Sequence, residues 1–284
     1  MSDTLNALTI DAEDWYHDET RGSGPASAEE IAGHGSRIER NLRKILEILE
    51  EQGAHATLFC VAELAESHAP LLREAVAQGH EIASHGLRHL PVSGRDRTVV
   101  KEDFRRSKKM LEDAIGIPVE GFRAPLFLRR QDDLWALDLL AQEGFRWDSS
   151  WMPLRYHPSA PEYITPGGHP GRLANGLWEF PLPLSRMPSG HTLPVAAGGF
   201  TLRALPFAFT RHYLTKYNRE HGAAVLYTHP WELDTESPKL PGTPAYVRFW
   251  NGIGRSGMPQ RLRQLTGEFR FAPIRQTFAT ELNS

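Results

Sequence analysis

The sequence predicts an α/β fold, a parallel sheet with helices packed outside it, either as a distorted (β/α) barrel or as an open doubly wound sheet. Two observations carry this. Short apolar runs of strand length alternate with helix-periodic segments at least five times along the chain, the pattern of consecutive strand–helix units. Nearly every such strand is followed at once by ionisable residues, as on the face of a barrel where the carboxyl ends of the strands meet and the chemistry sits.

Ala7-Leu8-Thr9-Ile10 is the first strand, and it stops at Asp11-Ala12-Glu13-Asp14-Trp15. Residues 18–35, rich in Gly, Ser and acidic side chains, read as a mobile loop. Ile38, Leu42, Ile45, Leu46 and Leu49 then recur at helical spacing, with Gly53 as the stop. Residues 56–61 form an apolar strand, 62–78 a helix that Pro70 interrupts or restarts, and Glu81-Ile82-Ala83 a buried strand. Residues 98–116 are an amphipathic helix carrying Phe104, Met110, Leu111 and Ile115 on its apolar side. A strand at 119–122, a helix at 132–143 and a strand at 145–147 follow.

The second half reads differently. Residues 152–200 are dense in Pro and Gly and predict irregular loops over a packed core, with 177–181 as one short strand. Residues 205–221 are helical, with Pro206 tolerated in the first turn. Ala223-Ala224-Val225-Leu226-Tyr227 is the most hydrophobic strand and ends in Thr228-His229-Pro230-Trp231-Glu232. Residues 235–260 read as a Pro/Gly-rich connection, 258–266 as a helix and 269–273 as a closing strand. One domain is expected over 1–284: a motif-bearing core at 5–232, a loop-rich insertion at about 152–200 and a C-terminal extension at 233–284.

Composition narrows the function. The 32 basic and 35 acidic side chains are well mixed, so no basic stripe points to nucleic acid. The single cysteine, Cys60, lies in an apolar run and reads as a buried, inert thiol. The N-terminus lacks a basic region followed by an apolar stretch, and no apolar run approaches the length of a membrane span, so a cytoplasmic protein is expected.

The strand ends carry the candidate chemistry. His85 and His89, four residues apart after a buried strand, fall on one side of a helical turn or of a loop wound like one, where a metal could use both. Taken alone, the pair reads more simply as a surface turn with Arg88 and His89 solvated. Three carboxylates at Asp11, Glu13 and Asp14 repel one another if buried together, and a cation would explain them; the plain alternative is a polar loop or helix cap. Arg123 and Asp148 also follow strands, and each alone reads as well as a surface arginine or a turn cap.

With these residues in order, the chain resembles the polysaccharide deacetylases of carbohydrate esterase family 4, the NodB-homology type. That family has an acidic pair after its first strand, then His-x-x-x-His, Arg-x-Pro, Asp-Ser/Trp and a late Leu-x-His. Here stand Asp11 with Glu13 and Asp14, His85 with His89, Arg123-Ala124-Pro125, Asp148-Ser149-Ser150-Trp151, and Leu226-Tyr227-Thr228-His229. Thr-Ile-Asp-Ala-Glu-Asp-Trp, Leu-Trp-Glu-Phe-Pro, Ala-Gly-Gly-Phe and Tyr-Thr-His-Pro-Trp-Glu-Leu-Asp resemble more narrowly the bacterial subgroup encoded with exosortase and exopolysaccharide genes.

The resemblance implies a distorted (β/α) barrel of about seven parallel strands with irregular loop insertions and a short C-terminal extension. It implies a metal-dependent N-deacetylase acting on an N-acetylated glycan. Zinc is the expected cation, with cobalt, nickel or manganese as alternatives, held by His85, His89 and one of Glu13 or Asp14. Asp11 is the expected base, restrained by Arg123, and His229 the acid that protonates the departing amine, held by Asp148. The first motif departs from the family's adjacent aspartates, so the choice between Glu13 and Asp14 as ligand stays open, and aligning the adjacent pair would instead make Glu13 the base and Asp14 the ligand. The third departs at Leu126, where many members carry an aromatic residue; its backbone N–H is a candidate oxyanion donor beside Pro125. Trp15, Trp151 and Trp231 offer either sugar-stacking faces or core packing. A hydrolase of a small cyclic amide or ureide would use the same ligands, and a non-catalytic glycan binder would tolerate a broken motif, although Arg123, Asp148 and His229 argue against the latter. Homo-oligomerisation is left open.

Overall fold

The computed structural model describes residues 3–17, 26–152, 170–186, 192–238 and 243–284. Strands β1 (Leu5–Ala12), β2 (Thr57–Cys60), β3 (Glu81–Ser84), β4 (Gly121–Phe122), β5 (Trp147–Asp148), β6 (Gly171–Arg172) and β7 (Trp178–Glu179) are followed by the short hairpin of β8 (Ser185–Arg186) and β9 (Thr192–Leu193), then by β10 (Val225–Thr228) and β11 (Arg270–Ala272). The sheet runs β10-β1-β2-β3-β4-β5-β7-β6, and β11 pairs with the start of β1. Every pairing in it is parallel except that of β6 with β7. The result is a curled, open half-barrel with helices outside, as the α/β reading expects.

β1, β2 and β3 are buried along almost their whole length, as parallel strands covered on both faces must be. Alternate residues serve different layers. Leu8, Ile10, Leu58, Ile82 and Leu226 pack outward with the helices, whereas Ala7, Phe59, Ala83, Trp147, Phe180 and Val225 pack inward as a second cluster. Gly121 is required by this inner layer: a Cβ there would stand 2.0 Å from the Trp147 ring.

Outside lie α1 (Ala28–His34), α2 (Ile38–Glu51), α3 (Ala65–Ala77), α4 (Arg97–Ile115), α5 (Trp135–Gln142), α6 (Gly199–Ala204), α7 (Phe207–His221), α8 (Ala245–Gly252), α9 (Met258–Glu268), α10 (Ile274–Thr277) and α11 (Ala279–Leu282). α2 buries Ile38, Leu42, Ile45, Leu46 and Leu49, the stripe its spacing predicts. α4 starts on Asp96, whose carboxylate accepts from the Thr98 N–H, and ends on Gly116 in the left-handed conformation. Pro70 lies inside α3, which bends at His68.

Three expectations change. Part of the expected 18–35 loop is helix α1, because Ser27 and Glu30 form a reciprocal capping box; residues 18–25 lie outside the described residues. The 235–260 connection contains α8, whose exposed aromatics hide its helical period from a search for buried stripes. The helix expected from 205 begins at Phe207, and α6 forms separately before Pro206. Much of the 152–200 insertion, at 153–169 and 187–191, lies outside the described residues. Among those described, no helix is long and apolar enough to cross a membrane.

Replacing Gly121 by Ala should cost about 1–3 kcal/mol in urea unfolding. Combined with Trp147→Phe, which removes the ring atoms that the new methyl meets, the loss should be less than the sum of the two single changes. Strict additivity would show that the two positions do not compete for space.

Candidate active site

Strand register assembles the site. Ala12, Cys60, Ser84, Phe122 and Asp148 form one run of cross-strand partners, so the residues that follow them in β1, β3 and β4, namely Glu13, His85 and Arg123, emerge side by side. Asp11 lies on the inward face of β1, and His229 leaves β10 beside it. They open into a cleft of about 480 Å³ lined by Asp11, Glu13, His85, His89, Tyr227, His229 and Trp231, among others, a volume in the range of small-molecule sites.

The loop that carries both histidines is pinned from outside. The Asp103 carboxylate on α4 accepts from the Leu87 N–H at 2.9 Å, and Gly86 and His89 both take positive φ. His85 Nδ1 lies 2.8 Å from the Arg123 carbonyl oxygen. A carbonyl only accepts, so Nδ1 carries the proton and Nε2 presents its lone pair to the cleft. Burial pushes the His85 imidazole down to about 4, which keeps it neutral.

Glu13 faces this pair. Its Oε1 accepts from the Trp231 indole N–H at 2.8 Å. Its Oε2 is buried without a satisfied hydrogen bond, although His89 Nε2 stands 2.5 Å away and His85 Nε2 3.9 Å. Burial opposes ionisation of Glu13, but His89 and His229 outweigh it and hold the carboxyl well below its ordinary range. One ligand atom from each of Glu13, His85 and His89 lies within 4.8 Å of the others. Two imidazoles and a carboxylate, converging with an unsatisfied oxygen between them, fit a divalent cation that keeps a position open.

Asp11 is held from behind. The Arg123 guanidinium, fully buried, donates from Nη1 to Asp11 Oδ1 and to Thr9 Oγ1, both at 2.7 Å. It also donates to the Ser149 carbonyl and hydroxyl oxygens, and its Cζ lies 4.1 Å from the Phe59 ring centre. Asp11 Oδ2 is 3.9 Å from His229 Nε2.

His229 is gripped by Glu232, not by Asp148 as expected. Its Nδ1 lies 3.2 Å from Glu232 Oε2, which also accepts from the Thr228 hydroxyl and the His229 N–H, while Oε1 takes the Arg203 Nε–H at 2.8 Å. Burial works against a charged imidazole here, but Glu13, Glu232 and Asp11 overcome it and push His229 up to about 9, so it is protonated at neutral pH. Burial likewise opposes ionisation of Glu232, which His229 and Arg203 nevertheless hold down at about 2. Trp231 stacks on His229 with ring centres 4.9 Å apart.

Asp148 is occupied elsewhere. It accepts from the Ser150 N–H and hydroxyl and lies across the sheet from Glu179. Burial raises both carboxyls, and the neighbouring Asp148 charge helps push Glu179 well above its ordinary value.

Asp14, the alternative ligand, turns away. Its carboxylate accepts from the Trp15 N–H, the Ser36 hydroxyl and the Arg37 and Ile38 N–H groups, and so caps α2. Trp15 is buried with its indole N–H on the Gly35 carbonyl, and Trp151 is buried in the outer core, so neither offers a sugar platform. Trp231 lines the cleft, but its N–H is committed to Glu13 and its face to His229. Pro125 packs against Gly86, and Leu126 reaches the cleft wall with φ of 60°. Sequence reasoning left Glu232, Glu179 and Arg203 unassigned. Glu232 had a signal, three residues after His229, and Glu179 another in Leu-Trp-Glu-Phe-Pro; Arg203 had none.

Residues 30–142 match the polysaccharide deacetylase family, and residues 149–279 match a family described as a domain of unknown function (DUF3473). His85, His89 and Arg123 fall in the first match and Arg203, His229 and Glu232 in the second, while Asp11 and Glu13 precede both. A chitooligosaccharide deacetylase of Sinorhizobium fredii is 30% identical over 98 residues, 34% of this chain and 43% of that protein. A peptidoglycan-N-acetylglucosamine deacetylase of Bacillus cereus is 28% identical over 82 residues, 29% of this chain and 38% of that protein. The chain thus aligns with less than half the length of each of these relatives. In fold it is similar to a protein from Mycobacterium smegmatis assigned to the polysaccharide deacetylases, with a TM-score of 0.64 at 20% identity over 99% of this chain and 91% of that one. An allantoinase superposes with a TM-score of 0.62 at 15% identity over 97% and 90%.

Two outcomes follow from these contacts. Asp14→Asn should lower stability by about 1 kcal/mol through the weakened cap of α2, read from urea midpoints, and should leave any cation bound at Glu13 in place. Glu179 holds in the folded state a proton that the unfolded chain releases once pH exceeds its ordinary value of 4.5. The pair's contribution is therefore complete below that value and declines as pH rises towards the folded pKa. Glu179→Gln, which removes the titrating group, should flatten that decline above pH 4.5; an unchanged slope would mean that Glu179 does not hold the proton.

Proposed function

Since this chain carries a polysaccharide deacetylase domain, of a family of hydrolases that act on amide bonds, we propose that it removes acetyl groups from N-acetylated amino sugars of a poly- or oligosaccharide, with a divalent metal held by Glu13, His85 and His89. The observation that carries this reading is the pairing of an unsatisfied, buried Glu13 oxygen facing two imidazoles with His229, gripped by Glu232, across the same cleft. When bound, the cation, zinc first and cobalt, nickel or manganese as alternatives, would lower the pKa of water and polarise the acetamide carbonyl.

The chain's own residues account for the protons. The Asp11 carboxylate, fixed by Arg123, is placed to take a proton as water adds to the acetyl carbon. The N–H of Leu126, on the cleft wall, is the candidate donor to the developing oxyanion. As the C–N bond breaks, His229 Nε2 gives its proton to the amine nitrogen, without which the amine is a poor leaving group, and acetate and the free amino sugar result. Glu232, itself held by Arg203, orients His229, and Trp231 holds Glu13 so that its other oxygen faces the imidazoles.

After metal reconstitution the protein should release acetate from N-acetylglucosamine oligomers or polymers; release from none of them, with hydrolysis of a small cyclic amide or ureide, would overturn the glycan reading. His85→Ala and His89→Ala should each lose bound metal and activity together, and full occupancy in both would remove them from the ligand set. His229→Ala should keep the metal but slow turnover roughly 10²–10⁴-fold.

A further inference from the structure

α8 presents an aromatic face that nothing in the core explains. Of its eight residues only Val247 is buried, whereas Tyr246 is 66% exposed, Phe249 60% and Trp250 49%. Positions 246, 249 and 250 are three and four apart and share one side of the helix. Phe200 of α6, itself 37% exposed, meets Trp250 edge to face with ring centres 5.2 Å apart. The other exposed large apolar side chains among the described residues, Leu90, Val99, Ile117 and Phe209, lie outside α6 and α8. A grouped apolar patch of this kind marks a binding surface more often than a single exposed side chain does.

The patch is continuous with the cleft and rigidly tied to it. Phe200, Trp250 and Asn251 line the same cleft as Glu13, His85 and His89. Arg203, almost fully buried, donates from Nη1 to the carbonyls of Trp250, Asn251 and Ile253, while its Nε holds Glu232. The carboxyl end of α8, whose carbonyls have no partners in the helix, is thus fixed to the carboxylate that orients His229. A surface held so close to the reacting group suits the rest of the substrate. A glycan suits it chemically: sugar rings offer C–H faces to aromatic rings and hydroxyls to the Tyr246 hydroxyl.

We propose that Phe200 together with the Tyr246, Phe249 and Trp250 face of α8 forms a glycan-binding subsite that receives the sugar residues next to the one being deacetylated. The proposal rests on the deacetylase reading for the identity of the glycan. Binding energy gathered there is remote from the scissile amide and serves to position it.

The test measures binding separately from turnover. Calorimetric titration of the metal-loaded protein with the dimer and hexamer of N-acetylglucosamine should show the hexamer bound at least tenfold tighter. Phe249→Ala and Trp250→Ala should each weaken hexamer binding roughly tenfold, on the scale of an aromatic ring stacked on a planar ligand. In acetate-release assays they should raise KM for the hexamer more than they lower kcat. Wild-type protein that binds the hexamer no tighter than the dimer, or variants that bind it as wild type does, would overturn the subsite. Retention of neutral or anionic lipid vesicles by the wild type, lost in both variants while hexamer affinity is unchanged, would overturn it in favour of a lipid-facing surface. Loss of hexamer affinity in the variants, in a protein that releases no acetate, would leave the subsite standing and sink the deacetylase reading instead.

Discussion

Two carboxylates, Asp11 and Glu13, are buried two residues apart at the end of one strand, and the rest of the site consists of the groups that make this burial tolerable. Taking a charge out of water costs several kcal/mol unless it is paired and hydrogen-bonded. Asp11 is met by a guanidinium with no exposed surface, whose remaining donors are spent on Thr9 and Ser149. Glu13 is met on one oxygen by an indole N–H and on the other by two imidazoles. That second oxygen has no satisfied hydrogen bond, and it is the unfinished part of the arrangement.

The same constraint explains why the parts come from so much of the chain. One strand end cannot supply its own counter-charges, so they arrive from β3, β4 and β10, and parallel register brings those ends to one level. Backbone conformations that side chains seldom adopt gather there as well: His89, Leu126 and Phe127 all have positive φ. Such strain persists only where the surroundings over-determine it. Here Asp103 grips the loop that ends in His89, while beyond the Leu126–Phe127 turn the Leu128 N–H donates to the Ser150 carbonyl and the Met152 N–H to the Leu128 carbonyl.

Arg203 extends this logic outward. Its guanidinium donates to Glu232, which accepts from the His229 N–H, and the same group closes the end of α8. His229, the Glu232 carboxylate and the end of α8 are therefore one hydrogen-bonded unit.

The sequence by itself determined the alternation of strand and helix and the residues that follow each strand, because periodicity and strand ends are local properties. Asp11, Glu13, His85, His89 and His229 line one cleft for that reason, with Arg123 buried behind Asp11. Where local signals were masked, the reading failed: α8 hides its period behind exposed aromatics, and α1 rests on a capping box inside a polar stretch. The tertiary structure alone decided which carboxylate does what. Asp14 and Glu13 are adjacent and chemically alike, but Asp14 points at the amides that open α2 and Glu13 at the histidines. Glu232 and not Asp148 holds His229, since Asp148 lies beside Glu179 and Ser150. Trp231 reaches Glu13 across 218 residues of chain. Partners so distant leave no trace in spacing, because a hydrogen bond depends on separation in space, and the curled sheet sets that separation.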